Sequence, residues 1–216
     1  MDALSQLVSA FPRQFWLNID ENSTEAFGQA HRLTMEKIAE PEQVAMRGQL
    51  RHARCEDAFR TSGEACGLEV IAPHTEPAGA RYSLIKAEGI YLLRGNIQQH
   101  CGAPRATAFR GLYAQHNAWL SPVQQDMLRV VPVPPDDALT AFLVTSAYKP
   151  GKGDQTIPAF IGVGIPRADL SGWHRLVSIT DIIALYHESA IIEAAPLEVK
   201  DRAVPQLKPR LGNSQA

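Results

Sequence analysis

The sequence predicts an α+β fold, in which an N-terminal helical unit packs on a mainly antiparallel β-sheet built from hairpins, with further helices interspersed. Two observations support this class. The N-terminal third carries apolar residues at helical spacing, and after Gly67 the chain changes to short apolar runs separated by turn residues. Helices first and strands afterwards favour α+β over an alternating parallel α/β sheet.

Three helices are predicted in the N-terminal third, over residues 4–16, about 22–39 and about 42–65. Pro12 marks a break in the first, because proline cannot donate a helical hydrogen bond. Asn22 and Glu25 have the spacing of a capping box, which would open the second. Gly67 is the expected left-handed residue that ends the third.

Two hairpins are predicted, over residues 82–97 and 141–165. Glu88-Gly89 forms a tight turn in the first, and the glycine-rich loop 149–154 reverses the chain in the second. In the last strand the apolar ladder runs on one face from Ile157, while Phe160, Gly162 and Gly164 share the other. We expect a neighbouring element to pack closely on that bare backbone.

The remaining elements are predicted in less detail. They are a strand at 68–72, a helix at 106–120, an N-cap at Ser121-Pro122, an extended connector at 131–137, a strand at 176–179, and a helix at 181–186 capped by Thr180. We expect a single domain over 1–204, made of the helical unit 1–66 and the mixed part 67–204. Residues 205–216 are polar and proline-containing, which predicts a mobile C-terminal tail.

Composition narrows the functional classes. A net charge of -2 provides no general attraction to nucleic acid or to an anionic membrane. The sequence has no secretory leader pattern and no apolar run near the roughly 20 residues of a membrane span. Three cysteines, at 55, 66 and 101, fit neither a disulfide framework nor a zinc site. We therefore expect a soluble cytoplasmic protein with no membrane partner and no resident cofactor.

Basic side chains in two stretches indicate the leading function. Arg47, Arg51 and Arg54 lie at i, i+4 and i+7 on the third helix. A second stretch is interrupted by one acid, Glu88, and contains Arg81, Lys86, Arg94, Arg105 and Arg110. Guanidinium groups bind phosphates through a planar fork of donors. Four interleaved aromatic residues could stack on bases: Tyr82, Tyr91, Phe109 and Tyr113.

These residues predict a non-catalytic binding or regulatory protein that contacts a macromolecule, nucleic acid or protein, through an arginine-rich surface. A second alternative is a protein–protein interaction module without nucleic-acid binding, for which the loop residue Trp173 would be an anchor.

The other alternative is a divalent-metal nuclease. Glu198-Val199-Lys200 forms a Glu-x-Lys triplet, and Asp181 lies upstream of it. Two carboxylates can hold Mg²⁺ or Mn²⁺ while a lysine positions water. In outline this arrangement resembles the metal site of restriction-type nucleases, and it would make Asp181, Glu198 and Lys200 catalytic.

One further motif concerns RNA. Arg47 and His52 form an Arg-x4-His pattern on the third helix. It is similar to the motif of HEPN ribonucleases, and the resemblance covers these six residues. It would imply that the two side chains act on the RNA backbone at a helical dimer interface.

Overall fold

The computed structural model of the chain describes residues 2–76, 78–98, 102–120 and 138–193. The helices in these ranges are α1 (Ala3–Ala10), α2 (Arg13–Lys37), α3 (Gln43–Ala65), α4 (Ala108–Ala114), a 3-10 helix (Gln115–Leu120) and α5 (Ile179–Glu193). The strands are β1 (Glu69–Ile71), β2 (Leu84–Ala87), β3 (Ile90–Asn96), β4 (Leu139–Ser146), β5 (Phe160–Pro166) and β6 (Trp173–Ser178). The predicted α+β class is confirmed.

The six strands form one sheet in chain order, from β1 to β6. All neighbouring strands are antiparallel except β3 and β4, which run parallel. A parallel pair needs a crossover connection, and its described part contains α4 and the 3-10 helix. The mainly antiparallel sheet and both predicted hairpins are therefore present, with one parallel pair at the centre.

Both faces of the sheet are covered, because side chains alternate along each strand. On one face Leu92 and Leu143 pack with α1, α2, α3 and α5. On the other face Leu93 and Phe142 pack with α4 and the loop before β6. Every residue of β4 is buried, as a strand covered on both sides requires.

Several local predictions are confirmed at the level of the backbone. Pro12 separates α1 from α2. Gly67 ends α3 with φ +69°. The Leu68 amide donates to the Gly63 carbonyl at 3.0 Å, which is one of the two bonds of a Schellman motif. Glu88 and Gly89 both have positive φ, +44° and +78°, as a type I′ hairpin turn needs.

Two predicted caps are wrong. Asn22 lies inside the continuous helix α2, and its Nδ2 donates to Ser62 Oγ on α3 at 2.9 Å. The helix continues because its buried apolar face, which begins at Phe15, continues past this residue to Phe27 and Ala30. The cap of α5 is Ser178, whose Oγ accepts from the Asp181 amide at 3.1 Å, so Thr180 lies within the helix.

The predicted ladder of the second hairpin begins too early. Strand β5 starts at Phe160, and Ile157 is exposed in the loop before it. Pro158 lacks the amide needed to extend the ladder. The predicted N-cap at 121–122, the connector 131–137 and the tail 205–216 lie outside the described residues.

The glycine face of β5 is closely packed, as the sequence predicts. A Cβ on Gly164 would overlap the Trp173 ring, and a Cβ on Gly162 would overlap the Phe160 ring and the Val177 carbonyl. Both glycines therefore allow neighbouring groups of the sheet to pack directly against the backbone of β5.

We expect Gly164→Ala to lower the free energy of unfolding by about 1–3 kcal/mol, because the methyl group forces the rigid Trp173 ring out of place. Urea unfolding measures this value. Gly172→Ala is the matched control, since its Cβ would meet no atom within 4 Å. Equal midpoints for the two variants would contradict the packing described here.

Candidate functional site

Arg94 is the centre of a polar cluster at the end of β3. Its side chain is 1% exposed. Nη1 donates to Glu56 Oε1 at 3.2 Å and lies 3.0 Å from His52 Nδ1. Nη2 donates to Asn96 Oδ1 at 2.6 Å and to Thr145 Oγ1 at 3.2 Å. The guanidinium is therefore held by groups from α3, β3 and β4.

Strand geometry brings these groups together. Leu92, Arg94 and Asn96 alternate onto the face of the sheet that α3 covers. Asn96 pairs in register with Thr145, because β3 and β4 are parallel and end at the same edge of the sheet. From α3, His52 and Glu56 at i and i+4 reach the same guanidinium. Apolar residues precede this polar cluster on both strands.

The acid of the cluster is fully engaged. Glu56 Oε1 accepts from Arg94, and Glu56 Oε2 accepts from the Ser83 amide at 3.1 Å. A buried guanidinium requires such a partner, since an unpaired buried charge is costly. The structure thus places Arg94, predicted from sequence as a contact residue, inside the molecule, where it orients its neighbours.

Arg51 lies on the same helix, with its guanidinium 4.8 Å from the centre of the Phe27 ring. Its Nη2 donates to the Gln155 carbonyl and to Gln155 Oε1 at 3.1 Å. Burial lowers the pKa of Arg51, and the charge of Arg47 lowers it further. The positive charges of Arg47 and Arg51 are therefore close enough to repel each other.

Arg110 packs on the opposite side of β3. Its Nη2 donates to the Arg94 carbonyl and its Nη1 to the Arg105 carbonyl, each at 3.2 Å. The guanidinium lies 3.7 Å from where a Cβ on Gly95 would stand. Burial lowers the pKa of Arg110, while the charge of Glu56 raises it. Arg105 is exposed beside it.

The other predicted basic residues lie elsewhere. Arg54 faces grooves between α2 and α3, next to Asp57 in one of them. Lys86 Nζ pairs with Glu69 at 3.3 Å, and Arg81 Nη1 donates to the Ala72 carbonyl at 3.1 Å. The sequence-predicted set is therefore divided. Around the end of β3 lie Arg51, Arg94, Arg105 and Arg110, while Arg47 is close enough to Arg51 for their charges to interact.

A groove runs over this edge of the sheet. Its narrow part is lined by Phe27, Gly48, Arg51, Asn96, Ile97, Thr145 and Ala147. Its wider part, of about 510 Å³, is lined by Asn96, Ile97, Gln98, Gly102, Ala103 and Arg105. Asn96 and Ile97 belong to both parts, and we call the whole the strand-end groove.

The charge around the strand-end groove is mainly positive. Among the described residues, the ion pairs involve Glu56, Arg94, Asp57, Arg60, Glu69 and Lys86. No carboxylate of this part of the chain pairs with Arg47, Arg51, Arg105 or Arg110. Cations at both ends of one groove favour an anionic ligand.

The aromatic residues expected to stack on bases stack on each other. The rings of Tyr82 and Phe109 are parallel, with centroids 4.1 Å apart. Tyr91 packs against Tyr113 and against His116, at 5.5 Å and 4.9 Å. These rings belong to the apolar cluster on the α4 face of the sheet.

Of the three residues of the nuclease alternative, the structure describes Asp181. Asp181 lies in the first turn of α5, where its Oδ2 accepts from Ser178 Oγ at 2.7 Å. Glu198 and Lys200 lie outside the described residues. Within the described ranges, no group of three or more His, Cys, Asp or Glu side chains is close enough to hold a metal ion.

The Arg-x4-His pair lies on α3 as predicted, but its two members have different neighbours. His52 Nδ1 faces Arg94 and Glu56. The charge of Arg47 acts on His31 and Arg51. The resemblance to HEPN ribonucleases remains limited to the six residues that carry it.

Compared with protein-family models, curated proteins and solved structures, the chain matches none of them. In the part of the chain that the structure describes, no helix has the length and apolar character needed to cross a bilayer.

Sequence reasoning missed Asn96 and Thr145. A pattern was available for Asn96: polar Arg94 and Asn96 continue the apolar face of Ile90 and Leu92 on a buried strand. Such an interruption indicates a buried polar network, since a lone buried charge is unstable.

We expect Glu56→Ala to lower the free energy of unfolding by about 3–5 kcal/mol, because it leaves the Arg94 charge buried without its acid. Asp57→Ala is the matched control, because the Asp57 side chain is 63% exposed and pairs with Arg60 at the surface. This change should lower the free energy of unfolding by about 0–1 kcal/mol. Chemical unfolding of both variants checks this. Similar losses would mean that the Arg94 pair is no more important than a surface pair.

The cluster also predicts a pH dependence. Burial and the Arg94 charge lower the pKa of His52, although Glu56 raises it. Because Arg94 can only donate, Nδ1 must accept and stay unprotonated. The His52 imidazole is therefore protonated more readily in the unfolded chain than in the folded one. The contribution that unprotonated His52 makes to the free energy of unfolding is present above about pH 6.5 and is lost as the pH drops towards the folded pKa. His52→Gln should reduce the loss in free energy of unfolding between pH 7.5 and 5.5, as measured by urea unfolding. An unchanged loss would contradict this role of His52.

Proposed function

We propose that this protein is a non-catalytic binding protein that holds the phosphate backbone of a nucleic acid in the strand-end groove. One observation carries the proposal: Arg51 lines the narrow part of this groove and Arg105 lines its wider part, and neither has an ion-pair partner among the described residues. Phosphate oxygens are acceptors that guanidinium groups bind strongly.

The net charge of -2 is compatible with this proposal. Electrostatic attraction is screened within about 8–10 Å at physiological salt, so a ligand in the groove responds to the nearby arginines and not to distant acids. Glu56, the acid of the Arg94 cluster, is already paired with that guanidinium. A local patch can therefore bind phosphates on a protein without a basic composition.

Binding is favoured over catalysis by the chemistry of the groove. Its described lining presents guanidinium, amide and hydroxyl groups, and the carboxylate beneath it is occupied by Arg94 and Ser83. We further propose a cytoplasmic location. Cys55 and Cys66 are free thiols, which suits a reducing compartment.

We expect Arg51→Ala and Arg105→Ala to weaken nucleic-acid binding and to reduce the slope of log K against log salt by about 0.7–0.9 per lost phosphate contact. Neither side chain forms an ion pair in the described part of the chain, so neither change leaves an acid without its partner, and the fold should be preserved. Fluorescence anisotropy with labelled single- and double-stranded DNA and RNA measures both quantities.

Arg54→Ala is the matched control, because it removes the same charge from α3 at a position facing the grooves between α2 and α3. Equal losses of binding at Arg54 and Arg51 would indicate a diffuse surface in place of the strand-end groove. Absence of binding at low salt would exclude nucleic acid and favour a protein partner. Cleavage dependent on Mg²⁺ or Mn²⁺ would instead support the site of Asp181, Glu198 and Lys200.

A further inference from the structure

Gly48 is an unexpected residue in its position. It lies inside α3, where glycine destabilises a helix relative to alanine. Its φ is not positive, and a Cβ at this position would meet no atom within 4 Å. Neither backbone conformation nor packing therefore requires glycine. Gly48 lines the narrow part of the strand-end groove, where a missing side chain leaves the helix backbone open to a ligand.

Asn96 presents a fixed pair of donors to the same place. Its Oδ1 accepts from Arg94 Nη2 at 2.6 Å and from Thr145 Oγ1 at 3.0 Å. A guanidinium has no acceptor, so the atom of Asn96 that faces Arg94 must be the oxygen. The amide nitrogen is therefore directed away from the cluster, and Asn96 is exposed where the two parts of the groove meet.

Arg51 completes the lining with a positive charge. Gln155 and the Phe27 ring hold its guanidinium in place, which reduces the entropy lost when a ligand binds. The acids in this region are already engaged: Glu56 by Arg94, and the exposed Asp154 by Thr156. The narrow part of the groove thus offers donors and positive charge to an acceptor-rich group.

We infer that the narrow part of the strand-end groove is a subsite for one phosphate-type oxyanion, bound by Arg51 and Asn96 above the bare backbone of Gly48. This inference rests on the proposed function and deepens it, since it names the group that the groove recognises. The oxyanion could come from inorganic phosphate or from a phosphodiester of nucleic acid.

The test compares the wild type with Gly48→Ala and Asn96→Asp, using inorganic phosphate as the probe at constant ionic strength. Asn96→Asp keeps the acceptor for Arg94 and Thr145 but replaces the outward donors by a negative oxygen. We expect each variant to weaken phosphate binding at least tenfold by NMR titration. Gly48→Ala should also raise Tm by about 2–4 °C, because alanine favours the helix.

Two matched controls separate the subsite from general effects. Gly111→Ala makes the same change in α4, where a Cβ also meets no atom within 4 Å. Gln49→Glu adds the same negative charge to α3 at an exposed position outside the groove lining. Both controls should bind phosphate within twofold of the wild type.

The outcomes distinguish this inference from the proposed function. A wild type that does not bind phosphate, or equal binding by all variants, would overturn the subsite. If Arg105→Ala abolishes binding of labelled oligonucleotide but Gly48→Ala and Asn96→Asp do not, the strand-end groove is supported and the subsite is excluded. If phosphate binds in an Asn96-dependent way but no oligonucleotide binds at low salt, the subsite stands and the nucleic-acid function falls. Competition between phosphate and oligonucleotide supports both.

Discussion

The buried pair of Arg94 and Glu56 is the interaction on which the strand-end groove depends. A guanidinium that is 1% exposed must be neutralised and hydrogen-bonded, and one carboxylate cannot satisfy all its donors. Asn96 and Thr145 accept the two bonds of Nη2, so the orientation of both follows from the burial of Arg94. The same pair joins α3 to the sheet, and it thereby fixes the position of Arg51, on α3, relative to the strand ends.

The parallel pairing of β3 and β4 determines where this cluster lies. The other pairs in the sheet are antiparallel, so at most other places one strand ends where its neighbour begins. β3 and β4 end at the same edge of the sheet, and both place polar side chains there. The crossover that a parallel pair requires carries Arg105 and Arg110 past the same edge. Residues from α2, α3, the crossover and the ends of β3 and β4 therefore line one groove.

Much of the fold could be predicted because it depends on local chemistry. Periodicity predicted the helices and both hairpins, and Gly67 and Glu88-Gly89 were recognised as positions of positive φ. The caps at Asn22 and Thr180 were mispredicted since a polar residue with cap spacing also serves inside a helix, as the bond from Asn22 to Ser62 shows. Competition between a local cap and a tertiary contact cannot be judged from spacing alone.

The sequence by itself determined the secondary structure, the α+β class and the presence of two arginine-rich stretches, because periodicity, turn residues and charge are properties of short segments. Tertiary structure alone decided which arginines meet. Arg94 and Arg54 look alike in the sequence, yet one is buried against Glu56 and the other faces a different groove. The reason is physical: the burial of a charge depends on partners supplied by distant segments, and the register of a parallel pair across a long crossover brings those segments together.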